Sequence, residues 1–188
     1  MKGFLPKEPP LREYQKSSPS LDRLQEIAHN LPKLLLTSQV QPTVESLTKN
    51  DLSIQEILDS NSEREIRLAM VHLSFISHAY VLGGGKPNDK LPEVLAAPWV
   101  RVSKFLGRPP VLSYASYCLD NWFLLEKGEV CLENIGLINN FLGGVDEDWF
   151  VTIHVCIEHA ASGAIEAADK LSRCDNTSNE TEVKSLLS

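Results

Sequence analysis

Ser62-Glu63-Arg64-Glu65-Ile66-Arg67-Leu68-Ala69-Met70-Val71-His72-Leu73-Ser74-Phe75-Ile76-Ser77-His78-Ala79-Tyr80-Val81-Leu82, followed by Gly83-Gly84-Gly85, is the stretch on which the fold class turns. Ile66, Ala69, Met70, Leu73, Ile76 and Tyr80 recur at three and four residues, so a single apolar stripe runs along the segment with a helical period. Ser62 with Glu65 reads as a capping box, and the glycines, which leave the helical region at little steric cost, close the other end. The same glycines with Lys86 do not make a phosphate loop, because they end a helix instead of following a strand and the GxxxxGK[ST] spacing is absent.

Working outward, Leu21, Leu24, Ile27, Ala28 and Leu31 give a second apolar face, with Ser20 placed to cap it and Pro32 to break it. The first twenty residues carry Pro6, Pro9, Pro10 and Pro19 among polar residues, the composition of an extended arm laid over a surface. Downstream, helices are predicted at Pro98–Leu106, ended by Gly107 and the Arg108-Pro109-Pro110 turn, at Val111–Leu125 and at Leu132–Leu142. Alternating strand patterns are scarce and no internal repeat is present, so the predicted class is all-α. The predicted organisation is an arm over 1–20, a small helical domain over 21–142 and the start of a larger helical domain over 143–188. The chain turns polar after Lys170, and Thr177-Ser178-Asn179-Glu180 resembles a capping box ahead of Val183-Lys184-Ser185-Leu186-Leu187, the pattern expected of a helix cut short or, equally, of a frayed tail.

With 188 residues, 43% hydrophobic and 23% charged, the chain has the composition of a globular protein with one sizeable core. A formal net charge of −7 and the lack of any Lys/Arg run argue against nucleic acid as a partner. No apolar run suggests a secretory leader or a membrane span. Cys118, Cys131, Cys156 and Cys174 fall in no metal-finger spacing and read as reduced thiols of a cytoplasmic protein. In that compartment the triplets Asn176-Thr177-Ser178 and Asn179-Glu180-Thr181 are chance matches to a glycosylation signal. No HExxH and no i, i+4 histidine pair occur, so a protein-only metal site has no support; without a GxSxG, neither has hydrolase chemistry.

Gly143-Gly144-Val145-Asp146-Glu147-Asp148-Trp149-Phe150 opens a new helix, its three carboxylates placed to complement the positive end of the helix dipole. Along it Phe150, His154 and Glu158 follow at four-residue steps and share a face with Ala161. In a pocket this set would stack a planar ligand and hydrogen-bond a ring N–H; elsewhere it is a core phenylalanine beside a half-exposed histidine that pairs with Glu158. Tyr114 and Tyr117, three residues apart beside Cys118, are a second such set, equally readable as core phenols. The small residues Ala160, Ala161, Ser162, Gly163 and Ala164 allow a close approach to the backbone, by another helix or by a flat cofactor.

These segments carry a resemblance. The run Leu91-Pro92-Glu93-Val94-Leu95-Ala96-Ala97-Pro98-Trp99-Val100, then Leu106-Gly107-Arg108-Pro109-Pro110-Val111-Leu112-Ser113-Tyr114-Ala115-Ser116-Tyr117, Asp120-Asn121-Trp122, and Asp148-Trp149-Phe150 with His154-Val155 and Glu158 resemble the amino-terminal part of the indoleamine 2,3-dioxygenase family, over about Tyr14 to Ala168. The resemblance implies an all-helical fold in which haem b lies between a small and a large domain. It also implies L-tryptophan or a related indole and O₂ as substrates, with oxidative opening of the indole ring to N-formylkynurenine. Carried over by motif, Tyr114, Tyr117 and Phe150 are substrate-binding, with Phe150 packed on the indole. His154 takes the catalytic distal position; a histidine there resembles the tryptophan 2,3-dioxygenases, in which it faces the indole N–H. Ala161, Ser162 and Gly163 would lie at the cofactor.

No segment matches the family's proximal histidine, which belongs to the carboxy-terminal part of the large domain. His159 stands five residues beyond His154, about 140° round the helix, so the two cannot hold one iron from opposite sides and no metal ligand is assigned. The expectation is therefore an incomplete chain, inactive by itself, whose missing carboxy-terminal half supplies the iron site. The alternative is a non-catalytic helical binding or regulatory module that keeps the distal wall. Residues beyond Gly143 are expected to pack poorly and to leave apolar surface exposed.

Overall fold

The computed structural model describes residues 3–16, 18–84 and 86–173. It is mostly helical, with one two-stranded sheet: α1 (Pro19–His29), α2 (Leu31–Leu36), α3 (Val40–Glu45), α4 (Gln55–Asp59), α5 (Glu63–Leu82), α6 (Glu93–Leu106), β1 (Trp122–Leu124), β2 (Ile135–Leu137), α7 (Val145–Ala160) and α8 (Ser162–Ser172). The predicted central helix is α5, residue for residue, and it is the axis of the core. Its residues are buried almost all round from Glu65 to Tyr80, with α1, α3 and α6 packed about it. No helix among the described residues is long and apolar enough to cross a membrane. Cys174, the two Asn-Xaa-Ser/Thr triplets and the second capping box fall outside the described residues.

Several helix ends differ from expectation, each for a local reason. Ser18, not Ser20, caps α1, its hydroxyl accepting from the Leu21 amide at 3.4 Å with Pro19 in the first turn, while Ser20 donates to the Asn50 carbonyl. Ser62 makes no side-chain cap on α5. Glu65 instead is buried and accepts from the Gln15 amide at 3.0 Å, so the carboxylate expected to close the box fastens the arm. α6 begins at Glu93, five residues earlier than predicted, and carries Pro98 inside it, where the missing N–H forfeits one intrahelical bond.

The helices predicted at Val111–Leu125 and Leu132–Leu142 are not formed. Ala115–Leu119 is one π-helical turn and Leu132–Asn134 one 3-10 turn. Between and after them β1 and β2 pair antiparallel, Trp122 opposite Leu137, Phe123 opposite Gly136 and Leu124 opposite Ile135. Side-chain amides hold this hairpin: Asn121 donates to the Asn139 carbonyl and accepts from its amide at 2.9 and 2.8 Å, and the Asn134 carboxamide bonds the backbone of Glu126 and Glu129. Such long-range amide bonds leave no periodic trace in the sequence.

Leu5, Cys118, Trp122, Val130, Ile135, Val151 and Val155 form a second buried cluster in which arm, π turn, hairpin and α7 meet. Val151 and Val155 are fully buried there, worth roughly 1.5–3 kcal/mol each. α7 is therefore anchored on one side, more than expected, yet it leaves Val145, Trp149, Phe150 and Ile157 exposed, and α8 buries no residue. The arm lies over the surface as its prolines suggest, Arg12 sitting 4.5 Å above the Phe123 ring and the Tyr14 hydroxyl 3.1 Å from His72 Nδ1.

His72 is fully buried in α5, with His29 of α1 edge-on to its ring at 5.7 Å. Burial first, and the His29 charge second, hold its pKa well below the usual histidine value. The unfolded chain takes up this proton near pH 6.5 and the native protein does not, so stability falls as the pH drops below that point. The expected loss from this residue is at most about 1.4 kcal/mol per pH unit. Urea unfolding at pH 7.5 and 5.0 checks this: His72→Gln should show the shallower dependence, and an equal slope in both proteins would refute it.

Candidate functional site

The π turn and α7 form two walls of one aromatic cluster. Within the turn the Asp120 amide reaches back to the Ala115 carbonyl at 2.8 Å, and the widened turn carries Tyr114 outward and Tyr117 inward. Tyr117 stacks on Phe75 of α5, with ring centroids 5.6 Å apart and planes at 19°, and lies along Phe141. Phe75 and Phe141 stack in turn at 4.6 Å. The far end of the turn is tied down by Asp120, 1% exposed, whose Oδ1 meets Arg67 Nη1 of α5 at 3.0 Å and whose Oδ2 meets Arg108 Nη1 at 2.5 Å.

α7 starts after Gly143, which adopts φ +70°, and Gly144, which has no side chain to cap the helix. Glu147 takes over that task. Its carboxylate folds back to accept from the amides of Phe141, Leu142 and Gly143 at 2.7, 2.8 and 3.1 Å, while Asp148 accepts from Asn140 Nδ2. Two of the three acidic residues thus orient the helix by specific bonds as well as through its dipole. With Val151 and Val155 turned into the second cluster, His154 and Glu158 lie half-buried on the flank beside them and Phe150 stands further round, more exposed.

The five residues singled out in the sequence are brought together. Phe150 is 49% exposed and lies 4.4 Å, centroid to centroid, from His154 and 6.1 Å from Tyr117. Tyr114, 45% exposed, sets its ring edge-on to His154 at 6.0 Å, and its hydroxyl donates to Glu158 Oε1 at 3.1 Å. Burial, then the bond to Glu158, pushes the Tyr114 phenol up to about 12; burial, then the Glu158 charge, pushes the Cys118 thiol up to about 11. Both stay protonated at neutral pH. Phe150 and His154 therefore lie neither apart nor sealed in a core, but side by side on an open apolar face that also exposes Trp149 and Ile157.

The small-residue run divides in two. Ser162 backs onto the amino-terminal arm, where Gly3, at φ +63°, passes so close that a Cβ on it would stand 3.1 Å from the Glu158 carbonyl and 3.2 Å from Ser162 Cα. Ala160, Gly163 and Ala164 face outward, and a Cβ at Gly163 would meet nothing within 4 Å. This outer edge carries no side chain larger than a methyl group and leaves room for a close neighbour. Ala161 is half-buried at the joint between α7 and α8. No group of three potential metal-ligating side chains occurs among the described residues.

Sequence reasoning missed the Arg67–Asp120–Arg108 bridge and the Phe75 and Phe141 plates. Arg108 and Asp120 do stand inside the family-like segments, the one signal that marked them. The cleft of about 520 Å³ between the arm and α5 reaches Asp120 at the end of the π turn but is lined by none of the clustered rings, and its arginines are engaged, Arg64 by Glu8 and Arg67 by Glu63 and Asp120.

A sequence profile described as indoleamine 2,3-dioxygenase matches residues 1–188. Among curated relatives, the indoleamine 2,3-dioxygenase of Saccharomyces cerevisiae is 36% identical over 170 residues, covering 87% of this chain and 36% of the relative. Indoleamine 2,3-dioxygenase 1 of Rattus norvegicus is 36% identical over 149 residues, covering 78% and 35%. A Penicillium citrinum indoleamine 2,3-dioxygenase is 35% identical over 159 residues, covering 83% and 34%. The chain spans about a third of the length of these relatives.

Proposed function

Because the chain belongs to the indoleamine 2,3-dioxygenase family, we propose that its α7 face and the Tyr114–Tyr117 turn form the distal, substrate-facing wall of a haem-dependent dioxygenase. The reaction is the insertion of both atoms of O₂ across the C2–C3 bond of the tryptophan indole, giving N-formylkynurenine. Haem b supplies the activation of O₂ when bound. On this reading residues 21–142 are the small domain and 143–188 open the haem-bearing domain. Of the three residues assigned to the cofactor, Gly163 on the outward edge would lie against it and Ala161 beside it at the joint, while Ser162 turns to the arm; no described residue is proposed as an iron ligand.

The observation that carries the reading is the His154 hydrogen bond. Its Nδ1 lies 2.5 Å from the Phe150 carbonyl, and a carbonyl only accepts, so Nδ1 bears the hydrogen. In the neutral ring this leaves Nε2 with a lone pair, an acceptor suited to an indole N–H. Phe150 offers the adjoining surface for the indole plane, Tyr114 holds the His154 ring from its edge, and Tyr117 supports Phe150. Together these groups would orient the ring without themselves reacting.

Transplanting residues 111–164 into the Saccharomyces cerevisiae relative tests the proposal. The chimera should convert tryptophan to N-formylkynurenine, and His154→Ala within it should lower kcat/KM roughly 10- to 100-fold, the effect of one lost hydrogen bond in a desolvated site. Binding of 1-methyltryptophan, which has no ring N–H to donate, should be nearly unchanged. A chimera that binds tryptophan and never converts it would favour the non-catalytic module.

A further inference from the structure

Where the arm crosses the seam between α1 and α5, two imidazoles meet beside a phenol. His72 of α5 is fully buried, its Nδ1 lies 3.1 Å from the Tyr14 hydroxyl, and its Nε2 has no hydrogen-bond partner. His29, exposed at the end of α1, sets its ring 5.7 Å from that of His72, centroid to centroid. A buried ring nitrogen left unpaired carries a desolvation cost in either tautomer, and a bound cation recovers it. The charge state of the pair suits such a ligand. Burial first, and the His29 charge second, hold His72 well below the usual histidine value; burial, then the Arg12 charge, lowers His29 against a weaker upward pull from Glu13. Both rings are therefore neutral at pH 7 and offer lone pairs.

We propose that His29 and His72 bind a borderline divalent cation of the zinc type between α1 and α5, with Tyr14 fixing the buried ring. At the usual Zn–N distance of about 2.0–2.1 Å, two imidazoles on one ion have ring centres roughly 5–6 Å apart, and the separation found here matches. When Nδ1–H donates to the Tyr14 oxygen, the His72 lone pair lies at Nε2; this is the outer-shell bond that commonly orients a metal-binding histidine. The exposed His29 ring can turn about its own side-chain bonds to present a nitrogen to the same point, and it gives the ion its way in. No third His, Cys, Asp or Glu joins them among the described residues, so water completes the coordination. The Gln25 carboxamide oxygen, buried without a partner one turn before His29 on the same flank of α1, can accept from that water.

Titration of the chelator-stripped full chain with Zn²⁺ at pH 7, followed by isothermal calorimetry, tests this. A single ion should bind each chain. His29→Ala, a change at an exposed ring, should weaken binding at least about 100-fold, and Tyr14→Phe, which removes only the orienting hydroxyl, roughly tenfold. Bound Zn²⁺ should also shield His29 from diethyl pyrocarbonate, as mapped by mass spectrometry, and leave His154 reactive. No binding, binding that His29→Ala leaves intact in a protein with unchanged circular dichroism, or protection of His154 in place of His29 would overturn the site.

Discussion

Asp120→Ala should cost about 3 kcal/mol of folding stability, the lower end of the range for breaking a buried ion pair. The carboxylate is almost wholly buried and joins two cations, Arg67 from α5 and Arg108 from the turn after α6. Its removal leaves two guanidinium groups facing each other. Because those side chains remain 25% and 24% exposed, water recovers part of the loss, and the top of the range, about 5 kcal/mol, is not reached. Arg67 also keeps Glu63 at 2.8 Å. Asp120→Asn, which keeps the shape and one acceptor, should cost less. The damage should spread along the π turn that Asp120 closes and free Tyr114 from Glu158. Urea unfolding measures the stability and a tyrosine ultraviolet titration the second effect; a loss below about 1 kcal/mol would show the bridge to be ornamental.

Phe75→Ala is expected to cost about 3–5 kcal/mol, the usual range for deleting a buried aromatic side chain. The ring has no exposed surface and is stacked on both sides of the site wall, at 5.6 Å on Tyr117 and 4.6 Å on Phe141. Without it Tyr117 loses the plate that sets its plane, and Phe150, 6.1 Å from Tyr117, loses its support. Phe75→Leu should recover part of the stability and little of the alignment. Near-ultraviolet circular dichroism should therefore fall in both variants, but unfolding free energy far more in the alanine one. An unaltered aromatic spectrum in Phe75→Ala would mean that Tyr117 is positioned by the turn alone.

How much of this was legible in the sequence depends on how local the cause is. α5 could be read because its apolar stripe repeats over many turns and ends at glycines, and the Phe150–His154–Glu158 face because four-residue spacing survives in any helix. The hairpin leaves no such mark. Trp122-Phe123-Leu124 and Ile135-Gly136-Leu137 are too short to show an alternation, and the Asn121–Asn139 exchange that holds their base joins residues far apart. Glu65 stands at capping-box spacing from Ser62, yet the Gln15 amide of the arm claims it. The meeting of Tyr114 with Glu158 followed neither from the tyrosine pair nor from the helix; it needs the π turn set against α7.

Leu5 shares its buried cluster with Val151 and Val155, so the arm and α7, far apart in sequence, complete a single folding unit. A nascent chain leaves the ribosome amino end first. Tyr14, Gln15 and Glu8 find their partners as soon as α5 is made, whereas Leu5 stays uncovered until α7 has been synthesised. Translation speed through the hairpin then governs how long Trp122 and Ile135 stay uncovered, an interval in which chaperones would find this protein most receptive.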